Sequence, residues 1–241
     1  MKSGRILLGL AVGALAVGLL LTLPHPLPDG ATDSFAGSAK NGELVFHAAG
    51  CASCHTAPDA EDSNRPELTG GQRFPSDFGT FLAPNISPDP THGIGGWSTA
   101  DLANAVMRGV SPDGQHYYPA FPYTSYTRMT LQDVADLKAF LDTLPPVATP
   151  SQPHEVGFPF NIRRGLGLWK RMYLDPEWTV DTVNDRGRYL VEALAHCGEC
   201  HTPRNALGGL RREAWLTGAP DPSGKGKVPG ITSGQLGWSE A

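Results

Sequence analysis

The chain has 241 residues, of which 40 % are hydrophobic and 18 % are charged. Its 29 glycines and 22 prolines stay below the content typical of low-complexity chains, so we expect a folded but loop-rich protein with one or two cores. The net charge is −5, and no basic cluster is longer than a pair of arginines. This composition excludes a collagen, a coiled coil and a polytopic membrane protein. Nucleic acid is not expected as a partner, because phosphate binding needs a concentrated positive face.

An apolar segment lies close to the N-terminus. Lys2 and Arg5 precede Ile6 to Leu23, in which Thr22 is the only polar residue. Such a segment is typical of a secretory signal or a short membrane span, and both would export the rest of the chain. The first small-residue cleavage site, Ala36 to Ser38, is far from the apolar run. We therefore predict an uncleaved anchor within residues 1–35 that leaves the N-terminus in the cytoplasm, with cleavage as the alternative.

The four cysteines form two Cys-x-x-Cys-His motifs, and an internal repeat surrounds them. The paired segments are Leu68-Thr69-Gly70 with Leu216-Thr217-Gly218, Pro84-Asn85-Ile86-Ser87 with Pro229-Gly230-Ile231-Thr232, and Gly96-Trp97-Ser98 with Gly237-Trp238-Ser239. The repeat predicts two homologous domains, residues 36–148 and 181–241. Residues 149–180 are predicted to form a proline-rich linker that carries one short helix.

The first copy carries three helix signals, at residues 39–48, 98–108 and 130–141. Ser98 is an N-cap candidate with Asp101 three residues on, and Thr130 with Asp133 resembles a capping box in which Asp replaces Glu. Residues 58–95 hold no periodic run, so we expect a long loop of the kind that wraps a ligand. The pattern predicts an all-α fold class.

The second copy is shorter than the first. Trp97 is followed by 44 residues up to Leu141, whereas Trp238 is followed by three residues. We therefore expect a second domain that is incomplete at its C-terminus.

The spacing of the cysteines predicts the cofactor. Two cysteines three positions apart on a helical turn present both sulfurs to the vinyl groups of a haem, and the next residue, a histidine, becomes the proximal iron ligand. A zinc ribbon would need a second pair about 15–20 residues on, and a thioredoxin-like pair would need a βαβ unit. Structural disulfides would close strained small loops. We therefore predict two covalently bound haem c groups, at Cys51, Cys54 and His55 and at Cys197, Cys200 and His201.

The sixth iron ligand decides what a haem does. Met129 precedes the third predicted helix, on a loop that would return over the far face of the first haem, so we predict it as the sixth ligand, with His116 as the alternative. Met107 is expected in the core and Met172 in the linker. No methionine follows Cys200 in this sequence, so we expect the sixth ligand of the second haem in a segment absent from it.

Five segments resemble a known family. They are similar to the multihaem cytochrome c subunits that accompany membrane-bound alcohol, aldehyde and sugar dehydrogenases in bacteria, and the resemblance covers about residues 38 to 241. The segments are Gly50 to Pro58, Pro84 to Asp89, Gly93 to Ser98, Tyr118 to Tyr126 and Cys197 to Asn205. Some members have methionine where this sequence has Phe121, which strengthens Met129 as the ligand here. Dehydrogenase-associated members often carry three haem motifs, whereas this chain has two.

The resemblance implies tandem class I cytochrome c domains in the periplasm, held at the bacterial inner membrane by a single N-terminal span. It implies an electron carrier rather than an enzyme, with a dehydrogenase subunit as donor and quinone or a terminal oxidase as acceptor. The rival function is a dihaem peroxidase or a thiosulfate-oxidising cytochrome. That function would need an open or cysteine-ligated iron, and all four cysteines are used by the attachment motifs.

Overall fold

The structure, a computed structural model, describes residues 2–61, 63, 65–222, 224 and 226–237. Its α-helices are α1 (Lys2–Leu21), α2 (Ala39–Ala48), α3 (Cys51–His55), α4 (Thr99–Arg108), α5 (Tyr123–Tyr126), α6 (Leu131–Leu141), α7 (Leu166–Tyr173), α8 (Asp185–Arg188), α9 (Cys197–His201) and α10 (Ser233–Leu236). Two 3₁₀ turns lie at Arg163–Gly165 and Arg212–Ala214, and a π-helical segment, Tyr189–Leu194, continues α8. Trp238, which the sequence pairs with Trp97, lies outside the described residues.

Two short hairpins correct the all-α prediction. Strand β1 (Arg73–Ser76) pairs antiparallel with β2 (Gly79–Leu82), and β3 (Ala219–Pro220) pairs antiparallel with β4 (Lys227–Val228). The first hairpin lies within the stretch 58–95 that was predicted to be a loop. Strands of two to four residues are too short to show an alternating hydrophobic pattern, which is why the sequence did not predict them. The fold is mostly helical, as expected of its class.

The three helices predicted in the first copy are confirmed within one residue at each end, as α2, α4 and α6. At the start of α4 the Ser98 hydroxyl accepts from the Asp101 N–H at 3.1 Å, and the Asp101 carboxylate accepts from the Ser98 N–H at 2.9 Å. This reciprocal capping box satisfies two of the free N–H groups at the helix start.

The capping box predicted at Thr130 is wrong in one half. The Thr130 hydroxyl accepts from the Asp133 N–H at 3.0 Å, as predicted. The Thr130 N–H, however, donates to the Tyr189 hydroxyl at 3.1 Å, and that hydroxyl donates to the Asp133 carboxylate. A side chain from the second copy, Tyr189, therefore bridges the two halves of the cap.

The core of the first copy is built where α2 crosses α6. Gly42 of α2 lies so close to α6 that a Cβ built on it would be 1.9 Å from the Asp136 carbonyl oxygen. The Phe46 and Phe140 rings meet there, with centroids 5.1 Å apart. The carboxylate of Asp136, which is only 2 % exposed, accepts from the Ser38 N–H at 2.7 Å. The absence of a side chain on Gly42 therefore sets the distance between the two helices.

The N-terminal helix α1 carries exposed apolar side chains along its length. Its last turn is held by basic side chains of the linker, since Arg164 donates to the Leu19 carbonyl at 2.8 Å and Arg171 to the Leu21 carbonyl at 2.7 Å. Within the part of the chain that the structure describes, no helix is both long enough and apolar enough to cross a membrane. The span predicted over Ile6 to Leu23 is thus not confirmed.

The predicted linker packs against the first copy. Thr80 of β2 and Glu155 exchange two backbone hydrogen bonds, at 3.0 and 2.9 Å, and the Glu155 carboxylate pairs with Arg73 of β1. The short helix predicted for this stretch is α7, preceded by one 3₁₀ turn.

Gly42→Ala tests the helix crossing. We expect it to lower the free energy of unfolding by about 1–3 kcal/mol, because the added methyl group must push the Asp136 carbonyl aside. Urea unfolding followed by far-ultraviolet circular dichroism measures this change. Gly157→Ala is the matched control, since a Cβ at Gly157 meets nothing within 4 Å. Equal stability of the two variants would contradict the proposed packing.

Candidate functional site

The first motif begins at a left-handed residue. Gly50 has φ +64° and ends the preceding turn, so that α3 starts at Cys51 and carries Cys54 and His55 on little more than one turn. The Ser53 hydroxyl donates to the Gly50 carbonyl at 2.6 Å, which fixes this turn from within. The second motif is built in the same way, with His196 at φ 42° before α9. None of the four cysteines, all of which lie in the described part of the chain, takes part in a disulfide bond.

Burial makes the Cys51, Cys197 and Cys200 thiols poor nucleophiles. Burial raises the pKa of the Cys51 thiol to about 12, and the neighbouring Cys54 adds to that rise. Burial also raises the pKa of the Cys197 and Cys200 thiols. A thioredoxin-like cysteine has a lowered pKa, because the thiolate is the attacking species. The arrangement therefore argues against the redox-pair alternative.

Each motif histidine is oriented by a proline carbonyl. The His55 Nδ1 lies 2.8 Å from the Pro84 oxygen, and the His201 Nδ1 lies 2.7 Å from the Pro229 oxygen. A carbonyl oxygen can only accept, so Nδ1 carries the proton and Nε2 keeps its lone pair. This is the tautomer that a metal-binding histidine needs, with its second nitrogen held by a hydrogen bond. Both histidines therefore fit the role of proximal ligand to a haem iron.

The backbone around the two histidines follows one pattern. The Gly70 N–H donates to the His55 carbonyl and the Gly218 N–H donates to the His201 carbonyl, both at 2.7 Å. Both glycines have positive φ, +75° and +93°, and a Cβ on either would meet backbone atoms within 2.8 Å. The segments that the sequence repeat paired thus make the same contacts in space.

A second pair of contacts closes each loop. The Ile86 N–H donates to the Leu68 carbonyl at 3.0 Å, and the Ile231 N–H donates to the Leu216 carbonyl at 2.9 Å. Between these segments runs a hairpin in each copy, β1 with β2 and β3 with β4. The hairpin returns the chain so that the proline carbonyl reaches the histidine. Both proline segments belong to the sequence repeat, but no role was predicted for them. The signal in the sequence was the nearly equal spacing from the motif histidine to the proline, 29 residues in the first copy and 28 in the second.

Met129 lies in the apolar cluster that surrounds the first motif. It is 4 % exposed, and Cys51 packs against the same cluster. Trp97, which the sequence repeat pairs with Trp238, is partly buried against this cluster too. Met107 also packs there from within α4, whereas Met172 is 57 % exposed. This placement is compatible with Met129 as sixth ligand, which stays a prediction.

His116, the alternative ligand, has another partner. Its Nε2 lies 3.0 Å from the Thr22 carbonyl oxygen, and its ring is buried beneath the segment that follows α1. Burial lowers the pKa of His116, and the charge of Lys170 lowers it further against the opposing effect of the Thr22 hydrogen bond. The Thr22 contact occupies Nε2, so His116 could bind iron only through Nδ1, which is buried and has no hydrogen-bond partner among the described residues.

Comparisons with known proteins bear on this geometry. A family model described as cytochrome c matches residues 39–145. A diheme cytochrome c-type protein of Cereibacter sphaeroides is 54 % identical over 236 residues, which are 96 % of this chain and 80 % of that protein. The chain belongs to the cytochrome c family. It is thus an electron carrier rather than a catalytic enzyme, as predicted.

Longer relatives of this cytochrome c are named as dehydrogenase subunits. The fructose dehydrogenase cytochrome subunit of Gluconobacter japonicus is 42 % identical over 214 residues, 84 % of this chain and 43 % of that subunit. The cytochrome c subunit of the quinone alcohol dehydrogenase of Gluconobacter oxydans is 35 % identical over 228 residues, 87 % of this chain and 46 % of that subunit. The chain spans less than half the length of both subunits. The predicted resemblance is confirmed.

Met129→Ala tests the sixth ligand of this cytochrome c. We expect the substitution to abolish the weak long-wavelength absorption that the family resemblance leads us to expect from an oxidised, methionine-ligated haem, because the iron loses its thioether ligand. The absorption spectrum of the oxidised protein measures this. Met172→Ala is the matched control, since Met172 is exposed in α7 and should leave the band unchanged. Survival of the band in Met129→Ala would return the assignment to His116.

Proposed function

We propose that this chain is a dihaem c-type cytochrome that relays electrons in the periplasm from a dehydrogenase to the respiratory chain. The observation that carries the proposal is the repeated hydrogen bond from a motif histidine to a proline carbonyl. It occurs at 2.8 Å in the first copy and 2.7 Å in the second, and it prepares Nε2 for iron at both places.

The haem supplies an iron that accepts and releases one electron; the protein supplies its attachment and surroundings. Cys51 and Cys54 would hold the first haem through thioether bonds, and His55 and Met129 would be its iron ligands. Cys197, Cys200 and His201 would hold the second. Covalent attachment suits an exported protein, because the cofactor cannot be lost by dilution. The basic residues Lys2 and Arg5 before an apolar segment fit such export.

We propose that residues 36–148 and 181–241 are two cytochrome c domains and that residues 149–180 join them. The support is the common set of contacts around both motifs: the left-handed residue before the cysteines, the glycine N–H to the histidine carbonyl, and the hairpin that precedes the proline. The name of the Cereibacter sphaeroides relative, a diheme cytochrome, supports the count of two haems.

The proposed electron donor is a dehydrogenase subunit. Relatives that share 35 % and 42 % identity are cytochrome subunits of alcohol and fructose dehydrogenases. The proposed acceptor is quinone or a terminal oxidase. Copurification of a dehydrogenase with the tagged chain from its own cells would support the donor, and reduction of the chain by that dehydrogenase alone would test it.

Mass spectrometry of denatured protein tests the number of haems. We expect the wild-type chain to retain the added mass of two haems after extraction with acid and acetone, because thioether bonds survive that treatment. The double variants Cys51→Ala with Cys54→Ala and Cys197→Ala with Cys200→Ala should each retain one. The mass of the apoprotein, from cells with active haem-attachment machinery, would contradict the proposal.

A further inference from the structure

The second motif contacts the first copy through the side chain of Glu199. This residue lies between Cys197 and Cys200, and its side chain is 8 % exposed. One carboxylate oxygen accepts from the hydroxyls of Thr124 and Ser125 in α5, the latter at 3.2 Å. The other oxygen accepts from Arg204 at 2.5 Å. Both oxygens are thus paired, which is the condition under which a carboxylate tolerates burial.

Among the described residues, the equivalent residue of the first motif makes no such contact. Ser53 stands between Cys51 and Cys54, and its hydroxyl donates to Gly50 of its own turn at 2.6 Å. The two motifs therefore share their local geometry but differ in this respect. In the second copy, the residue between the cysteines binds the other copy, across 74 and 75 positions of sequence.

An aromatic contact lies beside these hydrogen bonds. The Tyr126 hydroxyl donates to the Ala49 carbonyl at 2.8 Å, two residues before Cys51. Its ring meets the His196 ring edge-on, with centroids 5.5 Å apart, one residue before Cys197. Tyr126 is 6 % exposed, so one buried side chain touches the residues that precede both motifs.

We propose that Glu199, Thr124 and Ser125 together with the contact of Tyr126 on His196 form an interhaem joint, across which the electron passes between the two haem sites. Glu199 is the positioning residue, since it holds the second cysteine helix against α5. With both haems attached, the step would oxidise iron at one site from Fe(II) to Fe(III) and reduce iron at the other from Fe(III) to Fe(II). No bond forms or breaks and no proton moves. The inference rests on the proposed dihaem function.

The test uses the full chain with both haems attached. A laser flash that injects one electron from a photosensitiser starts the equilibration between the haems, which is followed by absorbance. Pulsed electron paramagnetic resonance of the oxidised protein gives the distance between the irons. In Glu199→Ala we expect the equilibration rate to fall severalfold and the distribution of iron–iron distances to widen, because the second cysteine helix loses its hydrogen bonds to α5 and electron transfer slows as the two sites separate.

Two further variants make the test decisive. Glu213→Ala removes an exposed carboxylate of the second copy that pairs only with Arg211 among the described residues, at 2.8 Å, and it should leave rate and distance as in the wild type. Thr124→Val with Ser125→Ala removes both hydroxyl donors without changing the second motif. This double variant should show the fall in rate and the wider distance distribution expected of Glu199→Ala. It therefore tests the joint even if Glu199→Ala fails to attach the second haem. Unchanged rate and distance in this double variant would overturn the joint while leaving two haems in place. Fewer than two haems in the wild type would instead refute the proposed function, and the joint with it.

Discussion

The orientation of the motif histidines depends on a carbonyl oxygen that arrives from about thirty residues further along the chain. A proline carbonyl accepts from Nδ1 of His55 in one copy and of His201 in the other. The rest of each loop is arranged to deliver it: a left-handed glycine N–H binds the histidine carbonyl, and a short hairpin then returns the chain. The long segments between the helices are therefore supports of the site, because the tautomer of each histidine depends on where they end.

The two copies differ in how they are stabilised. The first has its own apolar core at the crossing of α2 and α6, where Gly42 allows close contact. Around the second motif, by contrast, key contacts reach residues outside its copy. Glu192, 1 % exposed, accepts from the linker N–H groups of Thr179 and Val180 at 2.7 and 2.9 Å, and the Tyr189 hydroxyl completes the N-cap of α6. The geometry between the copies is thus determined by buried polar contacts as well as by apolar packing.

Local signals in the sequence were sufficient for the helices of the first copy. The capping box of Ser98 and Asp101 forms as predicted, because both partners lie within one turn. The cap at Thr130 does not, because the tyrosine that completes it comes from 59 positions away. The hairpins were missed for a related reason: four residues such as Arg73–Ser76 pair through backbone groups, which every sequence possesses.

The sequence by itself determined the attachment chemistry and the family, since the spacing of cysteines and histidine within each motif is a local property of one helical turn. Only the tertiary structure decided what surrounds those turns. It placed Met129 in the apolar cluster beside Cys51, engaged His116 with the Thr22 carbonyl, and paired Glu199 with hydroxyls of the other copy. Each of these contacts joins side chains or backbone groups far apart in the chain. Such pairs meet only when the whole fold has formed, and no local pattern encodes them.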